Sequence, residues 1–131
     1  MTQTNQNLQS LLETIRILRG EHGCPWDKKQ TALSMVKYLK SECQELTEAL
    51  EQNQRVGIRE ELGDLLYIIL MLSEIHAGEN LFTLDEVIND INEKLIRRHP
   101  HVFAGTTYSD EAELTAQWNA IKAEEKKKKY I

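Results

Sequence analysis

Apolar residues recur along this chain at intervals of three and four, and nowhere do they alternate with polar ones over the length of a strand. That period suits helices and leaves no sheet to build, so the expected fold class is all-α. Leu8, Leu11, Leu12, Ile15 and Leu18 mark a first helix, which the stretch "GEHGCPWD" stops. A second helix is expected from about Thr31 to Gln52, with Leu33, Val36, Leu39, Cys43, Leu46 and Leu50 on one side. The polar segment "EQNQRVG" turns the chain into a third helix from about Ile58 to His76, closed by Gly78. "TLDE" at 83–86 has the form of a capping box, with Thr83 as N-cap and Glu86 three residues on. It opens a fourth helix that turns Leu84, Val87, Ile88, Ile91 and Leu95 inward and ends near "RRHP", because Pro100 disfavours helical geometry at His99. After the loop "HPHVFAGTTYS", a last helix starts at about Asp110 and carries Leu114, Trp118 and Ile121.

With 131 residues, the chain suits one compact domain, 1–131, built as a bundle of four or five helices. The third helix has no charged side chain from Leu65 to Leu72 and is apolar around most of its circumference. Such a helix needs cover on several sides, and in so small a domain a second copy of the chain supplies it. A homodimer, or a higher homo-oligomer, is therefore expected through this apolar helix. The same run is too short to span a bilayer, which takes about 20 residues. A net charge of -5 argues against a general nucleic-acid-binding surface. Cys24 and Cys43 form no CxxC pair, and a reducing cytoplasm is the simplest location.

The apolar third helix has carboxylates at its edge. Glu61 and Asp64 are three apart and share a helical face, as do Glu42 and Glu45 on the second helix. Glu42 and Glu61 fall beside the apolar stripes, Glu45 and Asp64 further out. The two pairs are symmetric about Asn53, inside the expected turn. In an antiparallel hairpin centred there, Glu42 is level with Asp64 and Glu45 with Glu61, roughly 16 and 12 Å from the turn. Two readings follow: a solvated acidic face, or a site for Mg²⁺ or Mn²⁺. The apolar flanks and matched heights favour the metal. No Glu-x-x-His motif supports a di-iron centre, and the histidines and cysteines lack zinc-ligand spacing.

A divalent ion on oxygen ligands commonly partners phosphate, and a phosphate substrate needs cations and an apolar wall. Lys94 and Arg98 stand i, i+4 near the end of the fourth helix, where they also suit the helix dipole. Trp118 and Lys122 stand i, i+4 on the last helix, where Trp118 is either core or nucleotide contact. Trp26, in "CPWD", either packs its ring or stacks on a nucleobase.

Assembled in order, "GCPWDKKQT", "SECQELTEAL", "EELGDLL", "KLIRRHPHVF" and "WNAIKAEE" resemble the MazG-type nucleotide pyrophosphohydrolases, a family of all-α NTP pyrophosphohydrolases. The resemblance runs from about Leu11 to Glu125. The family's metal motif, EExxE followed by ExxD, is matched by Glu42, Glu45, Glu61 and Asp64, with Ser41 in place of the first Glu. The resemblance implies Mg²⁺-dependent hydrolysis of nucleoside triphosphates to monophosphate and pyrophosphate, as nucleotide-pool housecleaning. It associates Lys94, Arg98, Trp118 and Lys122 with nucleotide binding or catalysis. Two alternatives stand beside it: a non-catalytic helical interaction protein that keeps the fold, with Ser41 as the mark of lost turnover, and a narrow-specificity dUTP or dCTP diphosphatase.

Overall fold

A computed structural model describes residues 2–129, and every described secondary-structure element is helical. Seven helices occur among these residues: α1 (Thr2–Leu18), α2 (Pro25–Lys29), α3 (Val36–Glu51), α4 (Arg55–Gly78), α5 (Leu84–Arg98), α6 (Pro100–Phe103) and α7 (Glu111–Lys129). Five are long, in keeping with the four or five expected, and α2 and α6 are single turns. The chain separates into two compact units, the first ending at Leu84 and the second beginning at Asp85. No described helix is long and apolar enough to cross a membrane.

In the first unit α3 and α4 pack along each other, and α1 packs on α4. The core joins Leu12 and Ile15 of α1, Met35, and Ile68, Leu70, Met71 and Ile75 of α4. Each such side chain contributes about 1.5–3 kcal/mol when fully buried. Two corrections to the sequence-based expectation arise before α3. The stretch "GEHGCPWD" does more than stop α1, since Pro25 takes the first position of α2, where its fixed φ is already helical and its missing N–H costs nothing. Helix α3 begins at Val36 rather than Thr31. Thr31 and Ser34 bind each other's backbone, Thr31 N–H donating to Ser34 Oγ at 2.8 Å and Ser34 N–H to Thr31 Oγ1 at 3.1 Å. The turn they enclose is nevertheless tighter than an α-helix, with Met35 N–H to Ala32 O and Val36 N–H to Leu33 O both at 3.2 Å. Leu33 therefore lies in a turn and is exposed, and Leu50 and Cys43 are exposed as well, so the apolar side expected for this helix is only partly covered.

The turn after α3 has a definite stereochemistry. Asn53 adopts φ 52°. Its N–H donates to Leu50 O at 3.2 Å, and Gln54 N–H donates to Ala49 O at 3.0 Å. These are the two bonds of a Schellman motif, with asparagine in the left-handed position that glycine usually takes. Helix α4 closes in the same way, with Asn80 at φ 58°, Asn80 N–H to Ala77 O at 3.1 Å and Leu81 N–H to His76 O at 3.0 Å. Gly78, expected as the closing residue, lies inside the helix instead, because asparagine tolerates the left-handed conformation and stands two residues later.

Helix α4 is not covered all round. Leu70, Met71, Ser73 and Ile75 are buried, whereas Leu62, Leu66 and Ile69, at +4 and +3 spacing, form an exposed apolar row.

The second unit holds α5, α6 and α7. Leu84, Val87, Ile88, Ile91 and Leu95 were expected to face inward, yet no residue of α5 is buried, and Ile88, Ile91 and Leu95 are exposed. The expected loop after Arg98 contains α6, again begun by a proline at its first position. Asp110 caps α7, its Oδ1 accepting from Glu113 N–H at 2.9 Å, while Glu113 accepts in return from Ser109 N–H at 2.8 Å.

Candidate functional site

Because the α3–α4 turn centres on Asn53, the two i, i+3 acid pairs meet as their spacing requires. Each of Glu42, Glu45, Glu61 and Asp64 offers a carboxylate oxygen, and the four oxygens lie within 4.8 Å of one another. Glu42 and Glu61 are half-buried at the apolar edge, while Glu45 and Asp64 are exposed. This is the inner and outer placement that the helical angles give. Glu60 is exposed and is not part of the group.

Two oxygens, Glu42 Oε2 and Glu61 Oε2, are buried with no hydrogen-bond partner. Unpaired buried carboxylate oxygens are costly, and their cost shows in proton affinity. The Glu61 carboxyl is pushed up to about 7, first by burial and then by the approach of Glu45 and Glu42. Glu42 is raised as well, by burial and then by the charge of Glu45. The donor set is all oxygen, anionic and closely spaced, with two buried oxygens lacking partners. A hard divalent cation satisfies all of these conditions at once, so the residues fit Mg²⁺.

In the second unit, Lys94 of α5 and Lys122 of α7 line one cavity of about 590 Å³, together with Asp90, Arg97, Arg98 and Glu125. Arg98 is engaged twice. Its guanidinium carbon lies 5.1 Å from the centre of the Trp118 ring. Its Nη2 and Nε donate to Glu125 Oε1 at 2.7 and 3.1 Å. Arg97 Nε donates to the other oxygen of Glu125 at 2.6 Å. The two guanidiniums, Arg98 foremost, hold the Glu125 carboxyl down at about 2. Trp118 is half-buried and meets the His99 ring edge-on at 5.3 Å.

Trp26, in the first unit, packs partly against the core and meets Tyr38 edge-on at 5.1 Å. It also borders a cavity of about 300 Å³ with Lys29, Gln30, Ser34, Lys37 and Tyr38. Its neighbour Asp27 is buried and accepts a short hydrogen bond from the Tyr67 hydroxyl, while Arg19 donates to the Asp27 carbonyl at 2.7 Å. The first contact pins α2 to α4 and the second ties it to the end of α1.

The spacing argument therefore brings the four acids together. It also brings Lys94, Arg98 and Lys122 to one cavity, with Trp118 under Arg98, while Trp26 stands by itself in the first unit. It missed Glu125 and the Asp27–Tyr67 contact. Glu125 had a signal, since Trp118, Lys122 and Glu125 follow +4 and +3 spacing and share one face of α7. Asp27 and Tyr67 are 40 residues apart, and no periodicity links them.

Comparison with known proteins places the chain in a family. Residues 30–103 match the sequence profile of the MazG nucleotide pyrophosphohydrolase domain. The chain is 43% identical over 124 residues to the nucleoside triphosphate pyrophosphohydrolase/pyrophosphatase MazG of Thermotoga maritima, covering 92% of this chain and 46% of that protein. It is 37% identical over 123 residues to the nucleoside triphosphate pyrophosphohydrolase of Escherichia coli strain K12, covering 93% and 47%. An uncharacterized Bacillus subtilis protein, YabN, is 48% identical over 112 residues, covering 86% of this chain and 23% of that protein. The chain thus spans from under a quarter to just under half of the length of these relatives. The crystal structure of a MazG-related protein from Thermotoga maritima superposes with a TM-score of 0.72 at 32% identity, covering 88% of this chain and 98% of that one.

Proposed function

The chain belongs to the MazG nucleotide pyrophosphohydrolase family, and on that premise we propose that it is a Mg²⁺-dependent hydrolase of nucleoside triphosphates. The bond cleaved is the one between the α and β phosphates, in ribo- or deoxyribonucleotides, and Mn²⁺ is an alternative cofactor. The observation that carries this reading is the set of four carboxylates within 4.8 Å, two of them with buried oxygens that lack partners. Glu42, Glu45, Glu61 and Asp64 are the residues that hold the cation. Such an ion supplies positive charge for the phosphate oxygens and a more acidic water.

This chain's own side chains do the rest. The water oxygen bonds to phosphorus, the bridging P–O bond breaks, and monophosphate and pyrophosphate leave. Glu42 or Glu45 accepts the water's proton. Ser41 provides no carboxylate at the position where the family motif has its first Glu, so the proton falls to one of these two. Lys94, Arg98 and Lys122 stabilise phosphate charge, Trp118 contacts the nucleotide, and Trp26 is a further candidate for stacking on a nucleobase. The whole of 1–131 acts as one functional domain in the cytoplasm, clearing unwanted nucleotides or adjusting their levels.

Homodimerisation is part of the same reading. Leu62, Leu66 and Ile69 are 53%, 42% and 43% exposed on one face of α4, and a second copy of that face covers them. The function is tested by Glu61→Gln and Asp64→Asn. Each variant should lose Mg²⁺-dependent pyrophosphate release with its helicity kept, and full activity in either would refute the metal assignment.

A further inference from the structure

Glu125 is an acid that the catalytic reading leaves unused, and its surroundings give it a role. The residue is one-fifth exposed, at 19%, and its partner Arg98 is 17% exposed. Both of its oxygens are occupied, Oε1 by two donors from Arg98 and Oε2 by one from Arg97. Two of the five N–H groups of Arg98 are thereby spent, and the three that remain belong to Nη1 and the second proton of Nη2. The same guanidinium lies over Trp118 at 5.1 Å. An arginine gripped from one side by a carboxylate and resting on an indole has few rotamers left, so it presents its remaining donors in one orientation. Lys94 and Lys122, which line the same cavity, have no ion pair among the described residues.

We infer that Glu125 is a positioning residue for Arg98, fixing the guanidinium on Trp118 so that its outer N–H groups are aimed in advance at a substrate phosphate. This rests on the proposed triphosphate hydrolysis and adds a residue to it. The charge being bound is already present on the ground-state phosphates, so loss of positioning raises KM more than it lowers kcat.

The test is a double-mutant cycle on the purified chain. Glu125→Ala and Arg98→Ala should each raise KM for a triphosphate about tenfold or more, with kcat changed less, as expected when a charge-assisted hydrogen bond is lost. The double variant should be no worse than Arg98→Ala alone, because Glu125 acts through Arg98. Arg97→Ala should stay within about threefold of wild type, as Arg97 is the more exposed of the two arginines on Glu125. Additive effects in the double variant, or an unchanged KM in a folded Glu125→Ala, overturn the inference. Glu125→Gln, which keeps the size of the side chain, stands in where alanine loosens the unit. If the wild type hydrolyses no triphosphate, the parent reading fails and positioning is still testable by ¹⁵N-arginine NMR. A slowly exchanging Arg98 Nε–H in wild type that is lost in Glu125→Gln supports the inference, and a freely exchanging one in wild type overturns it.

Discussion

Lowering the pH from 8 to 6 should weaken Mg²⁺ binding about tenfold, through one residue. The Glu61 carboxyl is held at about 7, chiefly because its buried oxygen has lost water and because Glu45 and Glu42 crowd it. A proton and a cation compete for that carboxylate. When the cation binds only the ionised form, apparent affinity falls by a factor of about 1.1 at pH 8, about 2 at pH 7 and about 11 at pH 6, from a single group titrating at 7. Isothermal titration calorimetry with MgCl₂ at the three pH values measures this directly. Repeating the pH 6 titration in buffers of different ionisation enthalpy should show close to one proton released per ion bound. Glu61→Gln should bind weakly at every pH and lose the dependence. A wild-type affinity that is flat from pH 6 to 8, or a Glu61→Gln variant that keeps the slope, would refute the argument that buried, crowded Glu61 is a ligand. Without metal the sign reverses for stability: the folded state holds its proton more tightly than the unfolded chain between about 4.5 and 7, so the melting temperature should fall as pH rises through that window.

Three further outcomes follow from the fold. Asn53→Ala, forced into a left-handed conformation at φ 52°, should cost about 1–2 kcal/mol by chemical denaturation, whereas Asn53→Gly should be close to neutral. Met71→Ala empties a fully buried site at the α1–α4 core and should cost about 2–5 kcal/mol in the same assay. Leu66→Asp, on the exposed row of α4, should turn a dimer into a monomer by sedimentation velocity with little change in helicity; an unchanged mass would remove that face as the interface.

The sequence is most legible where one local rule decides the structure. The acid cluster needed only the helical period and a turn centre, and Asn53 supplied the centre because a left-handed cap fits asparagine. The five long helices were readable for the same reason. Boundaries failed where a tight turn precedes the helix, as over 32–35 before α3, or where two residues could close a helix, as with Gly78 and Asn80. Periodicity also marks which face of a helix is apolar without saying what covers it, so the stripes of α5 and of the first half of α4 are present but exposed. Contacts between distant residues, such as Tyr67 with Asp27, left no trace in spacing. Glu125 did leave one on α7, three residues past Lys122, but an acid among charged neighbours looks like surface until its two arginines are seen.

The proposed chemistry is tested most directly by following the products from wild-type chain with ³¹P NMR, using a panel of canonical and modified triphosphates, with Mg²⁺ and then with excess chelator. Nucleoside monophosphate and pyrophosphate should appear in equal amounts with Mg²⁺ and not at all with chelator. Diphosphate with inorganic phosphate, or turnover that survives chelation, would contradict the assignment of Glu42, Glu45, Glu61 and Asp64 as the metal site of a pyrophosphohydrolase.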